Sequence, residues 1–131
     1  MIKEIKLSKI NDPRGNLSFF QNYEQIPFKI KRIYWIYDVP GGESRNGHAY
    51  KKSEEFIIAI SGSFDVKIKF KKKIISYNLQ RPNKGLYIPN LTWRSITNFS
   101  TNSVALIVSS TKFNNEDYLR DFEMYKTLAF E

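Results

Sequence analysis

Between residues 64 and 70 the chain alternates strictly: Phe64, Val66, Ile68 and Phe70 are apolar, and Asp65, Lys67 and Lys69 between them are polar. Successive side chains on a strand point to opposite faces, so this stretch has one face for a core and one for water. Turn chemistry bounds it, with Ser61-Gly62-Ser63 before and Lys71-Lys72-Lys73 at a hairpin tip after. The same grammar recurs along the chain. Residues 2–8, 17–20, 31–39, 54–60, 74–79, 86–89, 93–97 and 104–109 read as strands, rich in β-branched and aromatic side chains. The stretch 31–39 is apolar enough to predict cover on both faces. Asp12-Pro13-Arg14-Gly15-Asn16, Pro40-Gly41-Gly42 and Pro82-Asn83-Lys84-Gly85 are turns or loops. Only the last segment changes period. Asn114 or Asn115 can cap a helix, and Glu116 and Asp117 suit its first turn. Tyr118, Leu119, Phe122, Met124 and Tyr125 follow helical spacing. Short strands at this density, with one C-terminal helix, predict an all-β sandwich or small barrel.

The chain has 131 residues, enough for one domain with a real core, and residues 1–131 are read as a single unit. Its 41% hydrophobic and 15% aromatic content excludes a disordered chain. There is no cysteine, so disulfide and thiolate chemistry are excluded. Apolar runs reach only about six residues, far short of a membrane span. Met1-Ile2-Lys3-Glu4-Ile5 lacks an apolar signal core, and a cytoplasmic location is expected. The net charge of +8 favours an anionic partner. Lys67, Lys69, Lys71, Lys72 and Lys73 supply much of it, and they are most simply a solvated face and hairpin tip.

His48 is the only histidine, and its surroundings are distinctive. Gly42, His48, Tyr50, Glu55 and Gly62 keep the spacing of the first cupin motif, with Tyr50 where a metal-binding cupin has its second histidine. Pro89 and Asn98 keep the spacing of the second motif, with Leu91 at its glycine and Arg94 at its histidine. The chain therefore resembles the cupins, which implies a double-stranded β-helix (jelly-roll) barrel. A metal cupin uses three histidines and a carboxylate; this chain keeps one histidine and either Glu54 or Glu55. Guanidinium is a permanent cation without a lone pair to donate. Arg94 would repel a metal, and too few ligands remain to hold one. No metal is expected, and the site should work by organic acid–base chemistry.

A longer run of blocks narrows the resemblance. These are Asp12-Pro13-Arg14-Gly15, Ile26-Pro27-Phe28, Lys31-Arg32-Ile33-Tyr34, Arg45-Asn46-Gly47-His48-Ala49, Ser61-Gly62-Ser63, Asn83-Lys84-Gly85-Leu86-Tyr87-Ile88, Trp93-Arg94 and Glu116-Asp117-Tyr118-Leu119-Arg120-Asp121. In this order they resemble the dTDP-4-keto-6-deoxyhexose 3,4-ketoisomerases, small WxcM-like cupins of deoxyamino-sugar biosynthesis. The resemblance implies a dTDP-linked 4-keto-6-deoxy sugar as substrate, a ketone moved from C4 to C3, and a 3-amino-3,6-dideoxy sugar for a surface glycan downstream. It implies a cofactor-free homodimer whose N-terminal strand pairs into the partner's sheet. It places the catalytic histidine on His48 and its partner tyrosine on Tyr34.

Shifting a ketone by one carbon is a proton transfer through an enediolate. A histidine titrates near pH 6.5 and can both take and return a proton, so His48 is the candidate base. Charge developing on the sugar oxygens needs donors, and Tyr34, Tyr50, Arg45 and Arg94 are suitable types. Tyr50 lies two residues from His48 and shares its face on a strand. Arg14 and Arg32 are further candidates for substrate binding. Trp93 alternates with Arg94 and is expected to pack outside the barrel, at a dimer contact. Two rival functions fit the composition: an epimerase-like sugar-nucleotide cupin, and a nucleic-acid-binding β-barrel. Against the second, the aromatics lie in strands that read as buried, not among the lysines, and neither nucleic acid nor membrane is expected as a partner.

Overall fold

The computed structural model describes residues 1–130. Ten strands form two five-stranded antiparallel sheets. The first sheet holds β1 (Lys3–Lys6), β7 (Lys84–Ile88), β4 (Glu55–Ser61), β9 (Val104–Ser109) and β2 (Arg32–Ile36), in that order. The second holds β10 (Tyr118–Leu119), β3 (Arg45–Tyr50), β8 (Trp93–Thr97), β5 (Phe64–Lys69) and β6 (Ile74–Leu79). One helix, α1 (Phe122–Phe130), follows. This is the all-β cupin-type arrangement with a C-terminal helix that the strand pattern and the motifs predicted.

The core lies between the sheets. Ile57 and Ala59 of β4, Leu86 and Ile88 of β7, and Ala105 and Ile107 of β9 meet Phe64, Val66 and Ile68 of β5, Leu79 of β6 and Ile96 of β8. The alternation along β5 survives into space: Phe64, Val66 and Ile68 are buried, while Lys67 is exposed. Gly62 turns the chain into β5 with φ +68°, a conformation that costs glycine nothing. The first sheet is covered on its outer face too. Leu7, Ile26 and Phe28 pack there on Phe56, Ile58 and Val108. That is why the run through β4 is almost unbroken in apolar character.

The second sheet's outer face carries α1. Trp93 and Ala49 pack with Leu119 and Tyr125, and the Trp93 ring meets Phe122 edge-on at 5.2 Å. Trp93 thus lies outside the barrel as expected, but the chain's own helix covers it instead of a dimer partner. The Tyr125 hydroxyl donates to the Leu91 carbonyl at 3.1 Å. Leu91 has φ +54°, which accounts for glycine at this place in the motif, and Asn98 has φ +55°, a conformation that asparagine tolerates.

Three expectations need correction. The strand expected at residues 17–20 is reduced to a single bridge, Ile10 to Leu17. The outer face of β2 is open: Ile33, Trp35 and Tyr37 are 54%, 57% and 60% exposed, because no element crosses that edge of the sheet. The helix expected from residue 114 begins at Phe122. Asn114 instead caps a short 3-10 turn (Asn115–Asp117), and Tyr118–Leu119 pair with Tyr50 and Ala49 as a strand. In this single chain β1 pairs with β7, from Lys3 opposite Tyr87 to Lys6 opposite Lys84. Leu7 fixes that docking, being buried and donating its N–H to the Asn83 carbonyl at 2.7 Å.

Candidate active site

Towards one end of the sandwich the inward positions change from apolar to polar. On β4 the series Ala59, Ile57 ends at Glu55, and on β9 the series Ala105, Ile107 ends at Ser109. Glu55 and Ser109 stand opposite each other in the ladder. On the facing sheet Ile96 gives way to Arg94. Glu55 and Arg94 floor a cleft of about 910 Å³, with Ser109 behind Glu55, and Tyr34, His48, Tyr50, Tyr118, Arg45 and Arg120 also line it.

The bend in β3 aims His48 into this cleft. The register between β3 and β8 shifts between Arg45 and His48, and beyond the shift His48 lies directly opposite Arg94. Gly47 sits in the shift with the Trp93 indole so close that any Cβ there would overlap it. The His48 ring packs against Tyr50 at 5.0 Å and Tyr118 at 5.6 Å between centroids. Its Nε2 is buried and has no hydrogen-bond partner among the described residues. The His48 pKa is lowered to about 3. Burial penalises the imidazolium most, and the neighbouring Arg94 cation repels it. A backbone hydrogen bond to Asn46 opposes this, while Arg120 and Arg45 add to the repulsion. The ring is therefore neutral at physiological pH, with Nε2 free to accept a proton.

Glu55 is the hub of the polar floor. It is 3% exposed and takes three donors: Arg94 Nη1 at 2.7 Å on Oε1, then the Tyr34 hydroxyl at 2.6 Å and Ser109 Oγ at 2.7 Å on Oε2. The Tyr34 and Tyr50 hydroxyls are 3.4 Å apart. Burial raises the pKa of both phenols well above the ordinary tyrosine range, and the Glu55 charge pushes the same way. Both stay protonated. Arg94 is buried, donates Nε to the Thr92 carbonyl at 3.1 Å and lies over the Tyr50 ring at 5.1 Å.

The structure thus brings His48, Tyr34, Tyr50, Arg94 and Arg45 to one cleft. Arg45 is exposed at its mouth. Two of the arginines expected at the site are not on its wall. Arg32 stands behind it, donating to Ser109 Oγ at 3.2 Å and lying 3.9 Å from Glu55 Oε2. Arg14 lies in the exposed turn at residues 12–15, bound to Asp12 at 3.0 Å, and is not among the residues lining the cleft. The two carboxylates left open by the motif are now separated: Glu55 points inward, whereas Glu54 accepts from Tyr87 on the outer side. Tyr118 and Arg120 were missed. The helical reading hid their strand-like alternation, in which Leu119 is buried between two cleft-lining residues, and the Arg120 guanidinium sits 4.1 Å from the Tyr118 ring centre.

The donor set does not fit a metal ion. Both Glu55 oxygens are taken, a guanidinium holds the third ligand place, and the described residues contain no group of three or more His, Cys, Asp or Glu that could hold one. None of the described helices is long and apolar enough to cross a membrane.

Comparison with known proteins gives a consistent result. The family described as "FdtA: WxcM-like, C-terminal" matches residues 1–129. The TDP-4-oxo-6-deoxy-alpha-D-glucose-3,4-oxoisomerase of Aneurinibacillus thermoaerophilus is 35% identical over 124 residues, covering 95% of this chain and 89% of that protein. A 3,4-ketoisomerase from Helicobacter canadensis superposes with a TM-score of 0.95 at 35% identity, over 99% of this chain and 98% of the other. QdtA, a 3,4-ketoisomerase from Thermoanaerobacterium thermosaccharolyticum, was solved as an asparagine-for-histidine mutant with TDP-4-keto-6-deoxyglucose. It superposes with a TM-score of 0.94 at 31% identity, over 98% of this chain and 93% of that one.

Proposed function

The chain belongs to the FdtA, WxcM-like C-terminal family of sugar 3,4-ketoisomerases, and from that premise we propose that it moves the ketone of dTDP-4-keto-6-deoxy-D-glucose from C4 to C3 by metal-free proton transfer. The observation that carries the reading is the neutral, unpartnered Nε2 of His48 on a cleft wall that also holds two protonated phenols and a buried guanidinium. Nε2 takes the proton from C3, which the adjacent C4 carbonyl acidifies. Charge passes to the sugar oxygens as an enediolate, and Arg94 and the Tyr50 hydroxyl supply the donors that stabilise it. Tyr34, bound to Glu55, holds Tyr50 in place. The hydroxyl proton of O3 passes to O4 within the enediolate, and His48, its proton having exchanged with solvent, protonates C4, which leaves the ketone at C3, a hydroxyl at C4 and His48 neutral.

Arg45 and Arg120 at the mouth suit the diphosphate of the nucleotide. An anion bound there offsets the cations that hold down the His48 pKa, so substrate binding itself strengthens the base. The 3-keto product is suited to transamination at C3, which yields a 3-amino-3,6-dideoxy sugar. The reading includes a homodimer; the open apolar face of β2, with Ile33, Trp35 and Tyr37, supports it.

The test is direct. Chelator-treated protein is incubated with dTDP-4-keto-6-deoxyglucose in deuterated water and followed by NMR. The expected result is a 3-keto product with deuterium at C4, lost in His48→Asn. Deuterium at C5 would indicate epimerisation, and activity that returns only with added metal would refute the metal-free mechanism.

A further inference from the structure

The mechanism uses groups that touch the sugar, yet the most heavily hydrogen-bonded side chain in the cleft is one it does not use. Glu55 ends β4 in the shared floor of the two sheets, with only 4% of its side chain exposed. Four groups converge on it: Arg94, Tyr34 and Ser109 within 2.7 Å, and Arg32 at 3.9 Å. A buried carboxylate costs several kcal/mol of lost hydration unless donors replace the water, so these contacts are what permit its burial. They also bind the donors. A phenol carries one hydroxyl proton, and that of Tyr34 is committed to Glu55 by the shortest of these bonds. Tyr34 then has no proton to give Tyr50 across their 3.4 Å contact. Glu55 thereby draws the Tyr34 proton away from Tyr50, whose own proton stays available to the sugar, and it turns the Arg94 guanidinium so that Nη2, buried and unpaired among the described residues, is left over.

We propose that Glu55 is a positioning residue for the isomerisation: its carboxylate fixes the Tyr34 phenol and the Arg94 guanidinium, and by holding the Tyr34 proton it leaves the Tyr50 hydroxyl to donate to the sugar. This rests on the isomerase reading. It goes beyond it because Glu55 acts on groups of the protein and not on the sugar. The position is also informative in itself. A metal cupin would spend this carboxylate on its ion; here Arg94 and Tyr34 take its two oxygens.

The experiment is steady-state turnover of dTDP-4-keto-6-deoxyglucose by wild type, Glu55→Gln, Tyr34→Phe and the double variant, with TDP affinity measured by calorimetry. Glutamine keeps the volume of the side chain and loses its charge. Glu55→Gln is expected to lower kcat at least tenfold and to leave the TDP Kd within twofold. In the Tyr34→Phe background the same change should cost less than half as much on a logarithmic scale, because one route of action is already gone. Full additivity, a kcat within threefold of wild type, or a matching loss of TDP affinity would overturn the proposal. If Glu55→Gln does not fold, Ser109→Ala removes one donor from the same oxygen. It should lower kcat about threefold with TDP affinity unchanged, and an unchanged kcat would overturn the proposal. A wild type that does not convert the sugar would instead sink the isomerase reading, and this inference with it.

Discussion

Replacing Arg94 with methionine separates the two roles of the buried ion pair. In the wild type, Arg94 Nη1 lies 2.7 Å from Glu55 Oε1, and both side chains are almost fully buried. Arg94→Met keeps most of the volume but leaves the carboxylate with Tyr34, Ser109 and the more distant Arg32. Breaking a buried pair from one side costs about 3–5 kcal/mol, chiefly because a charge is left uncompensated. The surviving donors place this case near the lower end, at about 3 kcal/mol. A domain of this size has a net stability of roughly 5–15 kcal/mol. At about 3 °C per kcal/mol, the melting temperature should fall by about 10 °C. Urea denaturation followed by tryptophan fluorescence measures it, since Trp93 is buried in the packed layer under α1. The double variant Arg94→Met/Glu55→Gln removes both charges and should recover most of the loss, because an apolar or neutral replacement for a buried pair is often close to neutral. A loss below 1 kcal/mol in Arg94→Met, or an equal loss in the double variant, would refute the reasoning.

The remaining predictions turn on His48 and Gly47. With its folded pKa lowered to about 3 against an ordinary 6.5, His48 binds fewer protons folded than unfolded between those values. It therefore contributes stability that is complete above about pH 6.5 and is lost as pH falls towards 3. His48→Asn should flatten the stability-versus-pH curve in that window, and an unchanged curve would count against a buried neutral ring. Since His48 is the only histidine, its imidazole gives one unambiguous NMR titration. Adding TDP should move its midpoint upward, and a midpoint that stays put would remove the substrate-strengthened base. Gly47→Ala should destabilise the protein by about 1–3 kcal/mol, because the new methyl must displace the Trp93 indole. Thermal denaturation would detect it, and a neutral result would mean that the β3 bend is not fixed there.

Much of the fold was legible in the sequence. The strands at 74–79, 93–97 and 104–109 are found with the expected ends, and the alternation places Phe64, Val66 and Ile68 inside, because these are local periodicities that the sheet leaves intact; Phe70, past the end of the strand, is exposed. His48, Tyr50 and Arg94 were legible for the same reason: strand parity puts the first two on one face, and the motif spacing sets the third opposite. What the sequence could not decide depended on covering and pairing at a distance. Both faces of β4 are buried, so parity alone did not separate Glu54 from Glu55, and only the layer of residues 7–28 on one side and the second sheet on the other distinguish them. Tyr118 and Arg120 follow a helical rhythm in the chain. Pairing of Tyr118 and Leu119 with β3 overrides it, since two ladder partners and a buried Leu119 outweigh the weak preference of so short a segment. Arg14 and Arg32 have the right chemistry for the cleft, and their placement outside and behind it follows from the path of the chain between sheets, which no local pattern records.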